Sequence, residues 1–393
     1  MSPRRPEVAD VLKTFASAFC QAYSVSAEQE RVLTHLPLCR TASLGGHRLE
    51  CDKCGHQEIS YNSCRNRHCP KCRAGARAEW LQARQTELLD VPYFHVVFTL
   101  PEELAAIVLQ NKSACYGLLF RAAAETLRTI AADPKHLGAQ IGFFAVLHTW
   151  NQTLLHHPHV HCVVPGGGIS ADKTRWTSCR QGFFLPVRVL SRLFRRLYLQ
   201  GLEDARQEGD LGFHGKLKGL RDATVWARTI AAMRAKEWVV YAKPPFGGPT
   251  QVLKYLARYT HRVAISNQRI IDLDDRCVRF RWKDRSGSAT ATKVMKLSGV
   301  EFTRRFLLHV LPRSFVSIRH FGFLANRGRT ANITLARQLI AAQQPKPQAT
   351  DPETPNAPTT PALHANACPR CETGQLTVIE EIPPKLPAIC DTS

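Results

Sequence analysis

The chain has 393 residues, 44% of them hydrophobic, which is enough for two or three modules and excludes a wholly disordered protein. Lys and Arg number 53 against 32 Asp and Glu, a formal charge of +21. The expected partners are therefore polyanions, nucleic acid ahead of a ribosome or a membrane surface. No run of about 18 apolar residues occurs, so no membrane-spanning helix is expected. The basic start, Met-Ser-Pro-Arg-Arg, lacks a following apolar core, so no secretory signal is expected.

In chain order, residues 1–38 place Val11, Leu12, Phe15, Phe19, Val32 and Leu33 near helical spacing. A cysteine cluster covers 39–75, and a basic, Ala-rich helix follows over 73–89. A strand at 93–100 leads to helices over 102–110 and 113–132, then to strands at 141–150 and 159–164. Arg-rich helices are predicted over 187–208 and 222–236, with a short strand at 238–242. After the breaker Pro244-Pro-Phe-Gly-Gly-Pro249, a helix runs to about 261, with Pro249 in its first turn. Alternating segments at 263–273, 278–282 and 289–297 read as strands, and a helix near 299–311 closes the ordered body. These elements divide into a helical segment plus zinc-binding domain (1–90), a main domain (91–335), a Pro/Thr-rich linker (343–363) and a small Cys-containing tail (364–393).

The fourteen cysteines are unevenly spread, with six between 39 and 72 and three in the tail. Clustering in CxxC pairs, in a basic chain without a signal, reads as zinc in a reducing compartment. Cys51-Asp-Lys-Cys54 and Cys69-Pro-Lys-Cys72 are two knuckles with fourteen residues between them, and are expected to share one tetrahedral zinc. Cys39, His47, Cys64 and His68 are candidates for a second, interleaved site. Such closed sites are structural. Arg65 and Arg67, with Lys71, Arg73 and Arg77, suit a DNA-docking surface or a solvated basic face. Cys368-Pro-Arg-Cys371 is a third knuckle, for which His364 and Cys390 are the nearest further donors.

His159-Val-His161 lies on a predicted strand, so both imidazoles face one side and can share one divalent cation. Tyr255 and Tyr259 in Lys254-Tyr-Leu-Ala-Arg-Tyr-Thr-His-Arg262 stand one helical turn apart, among Lys254, Arg258, His261 and Arg262. Positive charge and a metal-bound phosphate help a phenol of free pKa about 10 to lose its proton and attack phosphorus. Apart from the histidines, the pair also fits two half-buried core tyrosines. Arg313-Ser-Phe-Val-Ser-Ile-Arg-His-Phe-Gly322, with Arg319, fits either phosphate contacts and base stacking or a packed strand.

Taken together, these motifs resemble the HUH endonucleases, and within them the two-tyrosine rolling-circle transposases of the insertion-sequence ninety-one family. The resemblance spans nearly the whole ordered chain. It rests on Cys39-Arg-Thr-Ala-Ser-Leu-Gly-Gly-His47, Tyr61-Asn-Ser-Cys-Arg-Asn-Arg-His-Cys-Pro-Lys-Cys72, His148-Thr-Trp150, His156-His-Pro-His-Val-His161 through Gly168, and Tyr255-Leu-Ala-Arg-Tyr259. It implies an α+β fold, with an antiparallel Rep-like central sheet flanked by helices and preceded by a zinc-ribbon-like module. It further implies Mg²⁺ or Mn²⁺ on His159 and His161, and 5′-phosphotyrosine links on Tyr255 and Tyr259. The implied partners are single-stranded DNA at element ends and target, and the host replication machinery, in the bacterial cytoplasm at the nucleoid. Gln152 and His148 both flank the preceding strand as candidates for a third ligand. Gln152 is preferred, because glutamine serves in the superfamily. Arg258, Arg262 and Arg319 join Arg65 and Arg67 as expected DNA contacts. The rivals are a rolling-circle replication initiator of plasmids or phages and a non-catalytic zinc-ribbon regulator derived from a transposase. No helicase-type phosphate loop is present, and all four His and Tyr residues are intact.

Overall fold

The computed structural model describes residues 4–182, 184–246, 252, 263–284, 290–343 and 367–385. Helix α1 (Val8–Ala22) and helix α2 (Ala27–Leu38) open the chain. The start of α2 is set by Ser26, whose hydroxyl accepts from Gln29 N–H while the Gln29 side chain accepts from Ser26 N–H. Strands β1 (Gly46–Cys51) and β2 (Gln57–Tyr61) form a hairpin, and α3 (Pro70–Gln85) follows with Pro70 in its first turn. Next come β3 (Tyr93–Thr99), α4 (Ala105–Gln110), α5 (Lys112–Ala132), β4 (Gly142–Trp150) and β5 (His156–Pro165). The short pair β6 (Gly167–Ile169) and β7 (Trp176–Ser178) leads to α6 (Val187–Gln207) and α7 (Ala223–Ala235), the latter capped by the Asp222 carboxylate. Then follow β8 (Val240–Phe246), β9 (Ile270–Leu273), β10 (Cys277–Asp284), β11 (Ala291–Ser298), α8 (Gly299–Leu308), β12 (Ile318–Gly322), α9 (Arg329–Ala341) and β13 (Leu376–Ile382).

The central sheet has five strands in the order β12-β4-β5-β3-β8, every pair antiparallel. Strand alternation gives it two different faces. Phe94, Val96, Phe98, Phe143, Ala145, Leu147, Val160, Cys162 and Val164 point to one side, into the main core with α5, α6 and α7. Tyr93, Phe144, Val146 and Val163 point to the other, where Trp80 and Leu81 of α3 and Val252 cover them. The chain is thus α+β with an antiparallel sheet flanked by helices, as expected.

A second core joins α1 and α2 to α8 and to the three-stranded sheet β11-β10-β9, through Phe15, Phe19, Leu36, Phe280, Phe302 and Phe306. The opening helices therefore pack against residues from Ala264 onward.

Three further differences from the sequence reading stand out. The segment 263–273 is a strand only at Ile270–Leu273, because Asn267–Arg269 forms a 3₁₀ turn. The body does not close at α8, since β12 adds an edge to the central sheet and α9 packs beyond it. The tail is not a separate unit, because β13 pairs antiparallel with β1 to give the sheet β13-β1-β2. Apart from Gln343, the 343–363 linker lies outside the described residues, as do His364 and Cys390. Among the described residues, no helix is long and apolar enough to cross a membrane.

Candidate metal centre and zinc sites

The hairpin β4–β5 builds the histidine site. His148 lies directly opposite His159, and Val146 opposite His161, so all three imidazoles project from one face. A bulge follows, for the next pair is Trp150 with His156, leaving Thr149 against two residues of β5. Asn151 fixes the turn, its Oδ1 accepting from Thr153 N–H, Thr153 Oγ1 and Leu155 N–H. The side-chain nitrogens of His148, His159 and His161 come within 4.8 Å of one another.

A carbonyl fixes the tautomer of His159, and a second imidazole contacts His161. His159 Nδ1 lies 2.7 Å from the His157 carbonyl, which can only accept, so Nδ1 carries the proton and Nε2 the lone pair. His161 Nδ1 lies 2.8 Å from Nε2 of buried His95 on β3. For His161 to ligate through Nε2, its Nδ1–H donates to His95. Burial pushes His159 down to about 4 and His95 down to about 3, so both are neutral at pH 7. Three imidazoles are a donor set for a divalent transition ion.

His148 is the residue that groups with His159 and His161. Gln152 faces the other sheet, with its Oε1 3.4 Å from Lys283 N–H and its carbonyl accepting from Arg269 at 2.6 Å. His156 and His157 belong to β5 rather than a turn, and His156 Nε2 is hydrogen-bonded to the buried Tyr116 hydroxyl at 2.8 Å.

Beside His148 opens a cleft lined by Arg67, His68, Arg73, Trp150, Val263, Ala264, His309 and Ser317. Burial, then the charge of Arg67, brings Arg73 down to about 10. Its Nε is buried with no hydrogen-bond partner among the described residues. Arg67 donates to the Phe315 carbonyl at 2.7 Å and is likewise lowered by burial. Two guanidiniums thus line the same cleft as His148. Arg65 is exposed, and Lys71 is neutralised by Glu7 at 2.6 Å. Arg319 packs over the rings of Phe120 and Phe315, at 4.5 and 5.1 Å, so the 313–322 segment behaves as a packed strand at this residue. Tyr255, Tyr259, Arg258 and Arg262 lie outside the described residues.

The cysteines form two groups of four, in a pairing that corrects the expected one. Cys69 and Cys72 join Cys39 and Cys64, whereas Cys51 and Cys54 join Cys368 and Cys371. A Zn–S bond of about 2.3 Å gives a tetrahedral S···S edge of about 3.8 Å. The first group shows 3.5, 3.6 and 3.6 Å, and the second 3.7 and 3.6 Å. A disulfide needs about 2.05 Å. The expected pairing failed because α3 turns Cys69 and Cys72 inward against the core, while β1 and its following turn carry Cys51 and Cys54 to the tail. In the first group a hydrogen bond from Cys64 brings Cys69 down to about 5, which favours thiolate. His68 falls outside both groups, and its Nε2 accepts from Leu311 N–H at 3.4 Å. Neither does His47, part-buried on β1, fall in a group.

Comparison with known proteins identifies two domains. The family described as "Putative transposase" matches residues 142–331, which hold the histidine hairpin and the tyrosine segment. The "Transposase zinc-binding domain" matches residues 11–100. A relative from Sinorhizobium fredii, "Putative transposase y4qJ", is 56% identical over 385 residues, covering 97% of this chain and 96% of its own. The "Transposase for insertion sequence element IS801" of Pseudomonas savastanoi pv. phaseolicola is 29% identical over 301 residues, 75% of this chain and 70% of its own. No solved structure matches. With both domains and a near full-length relative in agreement, the chain belongs to the insertion-sequence ninety-one family of transposases.

Proposed function

We propose that this transposase nicks and rejoins single-stranded DNA at the three-histidine centre, with Tyr255 and Tyr259 as nucleophiles, in rolling-circle transposition. The observation that carries the reading is the convergence of His148, His159 and His161 beside a basic cleft. His148, His159 and His161 would hold a divalent ion, which when bound would supply Lewis-acid polarisation of the scissile phosphate. Of the two expected ions, Mn²⁺ suits three imidazoles better than Mg²⁺, which prefers oxygen ligands. Arg67 and Arg73 hold the phosphodiester against the histidines. Two described residues on either side of Tyr255 and Tyr259 in the sequence support the reading. Val252 packs on the histidine face of the sheet, and Val263 lines the cleft beside His148.

In the proposed step, a tyrosine oxygen bonds to phosphorus and the bond to the 3′-oxygen breaks. The phenol gives up its proton, and the leaving 3′-oxygen gains one. The 5′-phosphotyrosine conserves the bond energy, so a 3′-hydroxyl can reverse the reaction on a new strand. Two tyrosines let donor and target strands be held at once, with host replication restoring the displaced strand.

The test uses the full chain, Mn²⁺ and a labelled single-stranded element end, resolved on a denaturing gel. A covalent protein–DNA adduct is expected, lost in Tyr255→Phe/Tyr259→Phe and in His148→Ala but kept in Gln152→Ala. Absence of adduct with the native chain, where DNA is bound, refutes the reading. An adduct that survives in the double tyrosine variant refutes the nucleophiles.

A further inference from the structure

From the second cysteine group we infer a zinc site shared between residues more than 300 positions apart, Cys51 and Cys54 on one side and Cys368 and Cys371 on the other. The zinc-binding domain match ends at residue 100 and the transposase match at 331, so neither contains the second knuckle. The four sulfurs form the group by themselves, with Cys54 meeting Cys368 across 314 positions at 3.6 Å.

The two knuckles have one design. In each, the first sulfur accepts from the backbone N–H two residues on: Lys53 N–H to Cys51 Sγ at 3.4 Å, and Arg370 N–H to Cys368 Sγ at 3.4 Å. In each, the residue after the second cysteine is left-handed, Gly55 at φ +67° and Glu372 at φ +57°. A left-handed Glu is uncommon, and it closes the turn that brings Gly374 N–H to Cys371 Sγ at 3.3 Å. N–H groups aimed at sulfur stabilise thiolate, the form that zinc binds.

The surrounding backbone holds the two halves in register. Asp52 N–H donates to the Gln375 carbonyl at 3.1 Å, and Gln375 N–H returns a bond to Asp52 Oδ1 at 2.8 Å. A Cβ on Gly374 would overlap Cys51 Sγ, so only glycine lets the tail approach this closely. From there β13 runs along β1 from Leu376 opposite Cys51 to Ile382 opposite Gly46. Among the described residues, Leu376 and Leu49 are the apolar side chains packed around the cysteines, so a bound metal would add to the β1–β13 ladder in fastening the tail.

The test reads thiol protection in the full-length native protein, using a maleimide followed by peptide mass mapping, together with zinc content. Cys54 and Cys20 are both exposed, so accessibility alone makes them equally reactive. Two zinc ions per chain are expected, with Cys54, Cys368 and Cys371 protected until a chelator is added, while Cys20 reacts at once. Cys368→Ser/Cys371→Ser should bind one zinc, with Cys54 now as reactive as Cys20 and Cys39, Cys64, Cys69 and Cys72 still protected. Native Cys54 reacting as fast as Cys20, or a double variant that keeps two zinc ions, overturns the inference.

Discussion

Replacing His95 by Phe tests whether the buried pair on β3 and β5 sets the metal affinity of the centre. The Phe ring keeps most of the volume but removes the acceptor that lies 2.8 Å from His161 Nδ1. His95 is 2% exposed, so water does not readily take its place. The Nδ1–H of His161 then either stays unsatisfied or turns the ring away from the centre. An unsatisfied buried donor costs about 1–3 kcal/mol, and losing a partner behind a ligating histidine costs about 10–100-fold in metal affinity. Calorimetric titration with Mn²⁺ should show that weakening, with melting little changed. His95→Gln, which can present an amide oxygen near the lost nitrogen, should recover much of it. Native Mn²⁺ affinity in a folded His95→Phe protein would show that His161 does not bind through Nε2.

Three other outcomes follow from the packing. Gly299→Ala places a methyl group in the ring of Phe15, where α8 meets α1, and should cost about 1–3 kcal/mol, with an unchanged melting temperature counting against the contact. Glu301 is held down to about 2 by Arg304 and then Arg305, so its stabilisation is present above the unfolded value near 4.5 and is lost as pH falls through about 2. After solvent screening that amounts to about 1 kcal/mol. Glu301→Gln should therefore be less stable than the native chain at pH 7 and equal to it near pH 2, and a gap independent of pH would exclude the ion pairs as its cause. Stripping zinc from the Cys39 group, whose buried members Cys39 and Cys69 lie in the core with Phe306 and Leu307, should lower the melting temperature by on the order of 10 °C. No drop on chelation, once metal analysis shows the ion gone, would make that site dispensable for folding.

The parts that could be read from sequence are those governed by short-range pattern. Alternation in the strands around His159 and His161 put both imidazoles on one face, and the Arg-rich helices fall within a residue or so of their predicted limits. What escaped depends on register and on distant pairing. His148 and Gln152 are both candidate ligands from the sequence, and only the register that sets His148 opposite His159 separates them. The cysteine partners were misassigned because knuckles close in sequence looked like partners. A usable signal was nonetheless present: three knuckles plus Cys39 and Cys64 make eight thiols, enough for two four-sulfur sites. Helix α9 was missed because Thr330, Asn332 and Thr334 dilute its apolar stripe. Tyr255 and Tyr259 lie outside the described residues, so their role rests on the family resemblance and on their flanking residues.

The pairing of β1 with β13 also sets a clock on synthesis. Cys54 leaves the ribosome 317 residues before Cys371, a gap of roughly 15–60 s at 5–20 residues per second. For that interval the Cys51 knuckle has only half its ligands, and β1 lacks its outer neighbour. A nascent chain interrupted before residue 368 carries the histidine hairpin but not a finished β13-β1-β2 sheet. Synthesis of residues 368–382 thereby becomes the step on which assembly of that sheet waits.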